Sequence, residues 1–265
     1  MRNPDIDDGR SFDWGRTSAD YAKYRDIYPP ALYERLAALG VGVRGQKVLD
    51  LGTGTGVIPR NMYHRGAHFT GIDISEAQVE AARRLAVERG MNIDFQACAA
   101  EDMSFPADTF DAATAGQCFI YFDTQRLLPV LAAVLKRNGL LAIVSMNWLP
   151  GESPIAAESE RIILKHNPRW TGGNMQRFPA VQPAWADFSG FSFVHGEAFC
   201  IGLEFTREAW HGRMRACRGV GASLVGDSLA AFEEEHRAML QCGAPERFTI
   251  PHYPTILLLE NRKGG

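Results

Sequence analysis

Val48-Leu-Asp-Leu-Gly-Thr-Gly-Thr-Gly56 decides the fold. An apolar segment runs straight into three glycines at alternate positions, the pattern of a buried strand that must turn sharply. Working outward, residues 47–51 are predicted to form a strand, 52–56 a turn and 57–65 a helix. The unit then repeats: a second strand over 68–73, a charged helix over 75–89 with Ser75 as its cap, and a third strand over 93–97. A fourth strand is expected over 110–115, a helix over 126–135 and a fifth strand over 139–145 after the Asn138-Gly139 turn. Strands alternating with helices imply a parallel sheet whose crossover helices cover both faces.

The flanks behave differently. Before the first strand, Leu32, Leu36 and Leu39 recur at helical spacing from Pro30 and stop at Gly40. Beyond Pro150, Gly, Pro and Trp punctuate short helical pieces expected near 156–165, 185–188, 207–218 and 229–240. Residues 255–260 (Thr-Ile-Leu-Leu-Leu-Glu) are again a strand. The expected organisation is a helical lid over 1–40, a cofactor-binding core over 41–150, a mainly helical cap with returning elements over 151–250, and a terminal strand of the core sheet over 251–265.

Composition narrows the function. The 265 residues carry 28 basic and 31 acidic side chains, a net charge of -3 with no basic stripe, which disfavours nucleic acid as a partner. No apolar stretch is long enough to span a membrane, and the start is acidic where a signal peptide would be basic, so a cytoplasmic location is expected. The five cysteines follow neither disulfide nor zinc-ligand spacing, so no metal is expected.

The chemistry lies in and around the glycine turn. Gly52, Gly54 and Gly56 let a ligand lie against backbone with no Cβ in the way, and Thr53 sits between them. Asp73 ends the second strand, twenty-one positions after Gly52, where a carboxylate can accept from both hydroxyls of an adenosine ribose. An ordinary helix N-terminal charge is the alternative. Asp50 would repel a pyrophosphate, so the two acids together favour S-adenosylmethionine over a nicotinamide dinucleotide.

These segments, Val48 to Gly56 with Gly71-Ile-Asp-Ile-Ser75, resemble the class I S-adenosylmethionine-dependent methyltransferases, particularly the small-molecule branch similar to ubiquinone and menaquinone methyltransferases. The resemblance covers residues 17–147. It implies an α/β, Rossmann-like seven-stranded sheet, and it implies S-adenosylhomocysteine as the cofactor's product. It places the glycine turn beside the methionine moiety, Asp73 on the ribose and Ile74 on the adenine face. Ala99 stands where the family usually has an aspartate, so the resemblance leaves adenine recognition to the backbone of Ala100 or Glu101. Gln117, after the fourth strand, falls where the family's chain passes the sulfonium, and Phe119, Tyr121 and Phe122 follow as candidate pocket walls. Upstream, Tyr21 and Arg25 resemble the segment that closes over the cofactor, Arg25 having the charge to pair with a carboxylate.

An acceptor site is expected in the cap. On a helix, Trp210, Arg213, Met214 and Cys217 share a face with Arg218 beside it, suited to an anionic or aromatic small molecule. The alternative is that Trp210, Met214 and Cys217 dock the cap while the arginines are solvated or bind carboxylates such as Glu233 and Glu234. No catalytic group is assigned; His166, His195, His211, His236 and His252 are candidate bases, with Tyr253 a candidate orienting hydroxyl. Methyl transfer to a small acceptor is the expected reaction. Non-methyl use of the cofactor and a non-catalytic binding module are the alternatives, and a homodimer is left open.

Overall fold

The computed structural model describes residues 6–188 and 190–263. The first five residues of the expected lid and the last two of the terminal strand lie outside that range. The chain groups into two compact units. A sheet unit holds residues 28–146, 179–199 and 254–263, and a helix-rich unit holds 6–27, 147–178 and 200–253.

In the sheet unit, Pro30–Ala38 (α1) starts on its proline and buries Leu32, Tyr33 and Leu36, as its spacing predicts. The strands are Lys47–Leu51 (β1), His68–Asp73 (β2), Asp94–Ala97 (β3), Phe110–Gly116 (β4) and Leu135–Trp148 (β5). Their helices are Val57–Met62 (α2), Glu76–Glu88 (α3) and Thr124–Val134 (α4). With Phe191–Ala198 (β6) and the long closing strand Arg247–Asn261 (called β8), the sheet order is β3-β2-β1-β4-β5-β8-β6. Pairings among β1 to β4, and of β4 with β5, are parallel; β6 runs antiparallel to β8.

This order gives the Rossmann-like sheet expected from the sequence, and it reverses direction between β1 and β4. Crevices at such a reversal, outside the carboxyl ends of the strands, are where open α/β sheets take their ligands. β1 is apolar because it is covered on both faces: Leu49 and Leu51 enter a cluster with Leu127, Leu131 and Leu141, while Val48 packs with Leu36, Met62 and Phe69.

Three local differences from the sequence reading have physical causes. Ser75 occupies the N-cap of α3 but its hydroxyl makes no capping bond, the Gln78 N–H going to the Ser75 carbonyl at 3.1 Å instead. β5 begins at Leu135, four residues early, pairing Phe110 before the Asn138 turn and Leu140 after it, with a register shift between. β6 was not visible in the pattern: its residues are half-buried on alternating mixed faces, so no clean period of two appears.

In the helix-rich unit, the short helix Ser18–Tyr24 lies against Arg207–Arg215, which continues to Val220 as tight turns. Pro154–His166, capped by Ser153, packs against Gly226–Gly243. Ile201–Thr206 (β7) pairs antiparallel with Arg247–His252 of β8. Trp148, Trp170, Trp210, Phe205 and Phe232 fill its core. Among the described residues, no helix is long and apolar enough to cross a membrane.

Candidate cofactor site

All three turn glycines are left-handed, with φ of 56° at Gly52, 55° at Gly54 and 75° at Gly56. Side-chain-bearing residues resist this conformation by about 1 kcal/mol or more each. Space also excludes them: a Cβ on Gly52 would stand 2.8 Å from Cys118 Cβ, and one on Gly56 2.7 Å from the Phe95 ring. The turn is braced from below. Asp50 Oδ2 accepts from Thr53 Oγ1 and Oδ1 from Thr114 Oγ1, each at 2.6 Å, Thr114 being the β4 partner of Asp50 in the sheet register. Burial pushes the Asp50 carboxyl up to about 7, against the pull of both hydroxyls. Its side chain is nearly inaccessible, so it shapes the turn, and its charge acts from beneath it.

Asp73 is arranged otherwise. Oδ2 accepts the Gly54 N–H and Oδ1 the Ser75 N–H, both at 2.9 Å. Each oxygen therefore keeps one lone pair uncommitted by these bonds, a pair of acceptors spaced for a vicinal diol. Burial raises the Asp73 carboxyl while the two N–H bonds hold it down. Next to it Ile74 is 54% exposed, unusual for a large apolar side chain at the mouth of a sheet crevice, and suited to the face of an aromatic base.

The remaining sheet-unit candidates surround these. Ala100 is buried and opens a tight helical turn over Ala100–Asp102; Glu101 Oε1 accepts the Asp123 N–H at 2.9 Å, so its carboxylate is already committed to the start of α4. Gln117 is left-handed at φ 63°, its N–H bonded to Val144 O at 2.8 Å and its side-chain amide donating to the Met146 carbonyl. Strain of this kind at a strand end is characteristic of functional turns. Phe119 meets Phe122 edge-on at 6.0 Å and stacks on Trp185 at 5.3 Å.

Three participants escaped the sequence reading. Thr114 is a polar residue flanked by alanines in the buried half of its strand, a signal that was present. Cys118, donating to the Leu51 carbonyl at 3.0 Å beside Gly52, and Trp185, distant in sequence from Phe119, gave none.

The other candidates lie in the helix-rich unit. Arg25 stacks over the Tyr21 ring at 4.7 Å and donates to its hydroxyl at 3.3 Å. Trp210 is fully buried and donates to Ser159 Oγ at 2.9 Å; Arg213, also buried, lies over Trp148 at 5.0 Å. Arg218 forms a buried ion pair with Asp7 at 2.9 Å. Trp210, Arg213 and Met214 thus face the core of this unit, and Arg215, like Arg218, meets carboxylates, those of Asp20 and Glu233.

The buried histidines have fixed proton positions. Ser159 gives its proton to Ile155 O, so His236 Nε2–H must donate to Ser159, and His211 Nδ1–H to His236 Nδ1 at 2.9 Å. Burial lowers His211 to about 3 and His236 to about 4. Of the remaining candidates, His166 pairs with Glu235 at 2.8 Å, His195 sits in β6 of the sheet unit, and the Tyr253 hydroxyl donates to Phe178 O at 3.2 Å.

Comparison with known proteins adds to this geometry. A family model described as a methyltransferase domain matches residues 48–139, the segment from β1 to the turn before the main run of β5. The chain is 30% identical over 180 residues to a ubiquinone biosynthesis O-methyltransferase of Stutzerimonas stutzeri, covering 66% of this chain and 75% of that protein. Among solved structures, a candidate type II methyltransferase from Anaeromyxobacter dehalogenans superposes with a TM-score of 0.58 at 21% identity, covering 88% of this chain and 96% of that one. The [4+2]-cyclase SpnF superposes at 0.53, also at 21% identity, over 88% of this chain and 81% of its own. At such identities the superpositions speak to the fold.

Proposed function

This chain belongs to the class I S-adenosylmethionine-dependent methyltransferases, and on that premise we propose that it methylates a hydroxyl oxygen of a small organic acceptor. Methyl transfer in the biosynthesis of a small molecule is the activity its curated relatives are named for. The oxygen specificity is our inference, drawn from relatives named as O-methyltransferases.

The observation that carries the cofactor reading is the Asp73 carboxylate. It is held by two backbone N–H groups at the lip of a three-glycine left-handed turn, with one acceptor position left on each oxygen. The residues present fit an adenosyl group: a diol acceptor, an exposed apolar face at Ile74, and a left-handed turn with no side chain at Gly52, Gly54 or Gly56. When bound, S-adenosylmethionine supplies a methyl group on cationic sulfur, open to in-line displacement.

The protein's own contribution is positioning and electrostatics. Asp73 fixes the ribose, Ile74 covers the base, and the amide of Ala100 or Glu101 meets a ring nitrogen. Gly52 to Gly56 bring backbone against the amino-acid end of the cofactor, with Gln117 at the neighbouring strand end. Phe119 and Phe122 wall the crevice with ring faces that favour a cation.

The test is product analysis with methyl-labelled S-adenosylmethionine and a panel of phenols and alcohols. Label in an ether product with equimolar S-adenosylhomocysteine supports the proposal. Product formation without S-adenosylhomocysteine would move the enzyme to non-methyl chemistry, and binding without any turnover would leave a cofactor-binding module.

A further inference from the structure

Asp50 and Asp73 both serve the glycine turn, but different kinds of partner hold them. Asp73 receives two backbone N–H groups, which can only donate and so favour the carboxylate. Asp50 receives two hydroxyls, those of Thr53 in the turn and Thr114 in β4, each at 2.6 Å. A hydroxyl can rotate to donate or to accept, so Asp50 is satisfied both as a carboxylate and as a carboxylic acid with no heavy atom moving.

The charges around it leave the balance open. Among the described residues no cation pairs with Asp50, and Asp73 on β2 repels it. Lys47 and His68 lie at the amino ends of β1 and β2, and Arg60 of α2 gives its Nε–H to the Thr55 carbonyl at 3.0 Å. Cys118, after β4, is pushed well up by burial and stays a neutral thiol. Burial thus holds Asp50 near the edge of ionisation, at about 7. A bracing role alone would not need a charge there, because a neutral amide can also meet two rotatable hydroxyls. A cation arriving on the turn would tip the balance toward the carboxylate, and in a buried setting that attraction is weakly screened.

We propose that Asp50 senses the charge of the cofactor, favouring the sulfonium of S-adenosylmethionine over the neutral thioether of S-adenosylhomocysteine, and that this preference rises with pH. This rests on the reading that the glycine turn holds the cofactor. Asp50 is a positioning residue that acts through the turn, and it holds the charged cofactor more tightly than the spent one. A unit charge acting across about 10 Å of protein changes a binding equilibrium by roughly tenfold.

The experiment titrates the full chain with each of the two ligands by calorimetry at pH 5.5 and 7.5 and reads the ratio of their affinities. In the wild type, the preference for S-adenosylmethionine should grow by about fivefold from the lower to the higher pH, as Asp50 ionises. Titration of the ligands' own amino groups is common to all variants and cancels on comparison. Asp50→Asn should lose the rise. Thr114→Val removes one donor to the carboxylate, so its rise should shift upward by about one pH unit. Proton counting in two buffers of different ionisation enthalpy needs no variant: at pH 6.5 the sulfonium ligand should release about half a proton more than the thioether. Equal proton release, an Asn variant that keeps the wild-type rise, or one that weakens both ligands by the same factor at both pH values overturns the inference. If S-adenosylhomocysteine binds while the ratio ignores pH, only the inference falls; if neither ligand binds, the function proposed above falls with it.

Discussion

Replacing Asp73 with asparagine keeps the size of the side chain and removes half of its acceptor capacity. In the wild type, each carboxylate oxygen already accepts one backbone N–H, from Gly54 and from Ser75, and offers one more position. Asparagine has a single acceptor oxygen, so its NH2 group must point at one of those two N–H groups. One backbone bond and at least one ribose bond are lost together. Hydrogen bonds to a charged acceptor contribute about 1.5–3 kcal/mol each, so two ribose bonds amount to about 3–6 kcal/mol. Asparagine retains part of this, and the expected loss is about 3 kcal/mol, roughly a hundredfold in affinity. Calorimetric titration with S-adenosylhomocysteine measures it, with circular dichroism establishing that the variant is folded. An affinity within threefold of the wild type would refute the argument that this carboxylate grips the ribose.

Other consequences follow from the same geometry. Gly52→Ala must place its Cβ 2.8 Å from Cys118 Cβ in a left-handed conformation, so urea unfolding should show a loss of about 2–4 kcal/mol; a loss below about 0.5 would contradict the turn's description. Asp50→Asn removes a carboxylate whose pKa is raised to about 7, and the two threonine hydroxyls can rotate to suit the amide. At pH 8 the variant should be at least as stable as the wild type, and destabilisation beyond about 1 kcal/mol would count against a strained buried charge. Stability should also fall between pH 6.5 and about 4. His211, His236 and His252 are lowered in the folded state to about 3, 4 and 4, so the unfolded chain takes up three protons first, each worth about 1.4 kcal/mol per pH unit. Asp50, raised to about 7, opposes one of them, and Asp73, also raised, adds to that opposition. Urea unfolding at pH 6.5 and 5.5 should therefore differ by about 1–3 kcal/mol, with the more acid sample weaker; greater stability at pH 5.5 would show the histidine assignments to be wrong.

What could be read from the sequence was what the chain encodes locally. The left-handed glycines announce themselves because only glycine occupies such a turn without strain, and Asp73 is fixed by its place at the end of a six-residue strand. The helix before β1 follows from apolar spacing between Pro30 and Gly40, and the one after it from its place behind the glycine turn. What was hidden depends on distant partners. The Asp50 to Thr114 bond needs the parallel register of β1 with β4, and Trp185 reaches Phe119 only when the chain returns to the sheet unit. β6 lacks a clean alternation because it presents no uniformly apolar face, whereas in β7 Ile201, Leu203 and Phe205 alternate with Gly202, Glu204 and Thr206 in a run of only six residues. The arginine-rich segment 207–218 shows the limit most plainly. Its spacing identifies a face, but which guanidinium meets a carboxylate depends on Asp7, Asp20 and Glu233, residues far apart in sequence.

A crystal structure with S-adenosylhomocysteine bound would examine the cradle most directly. Both ribose hydroxyls should lie within hydrogen-bonding distance of Asp73, one to each oxygen, with the adenine against Ile74 and the thioether chain along Gly52 to Gly56. A nucleoside bound elsewhere, with Asp73 still holding only Gly54 and Ser75, would contradict it.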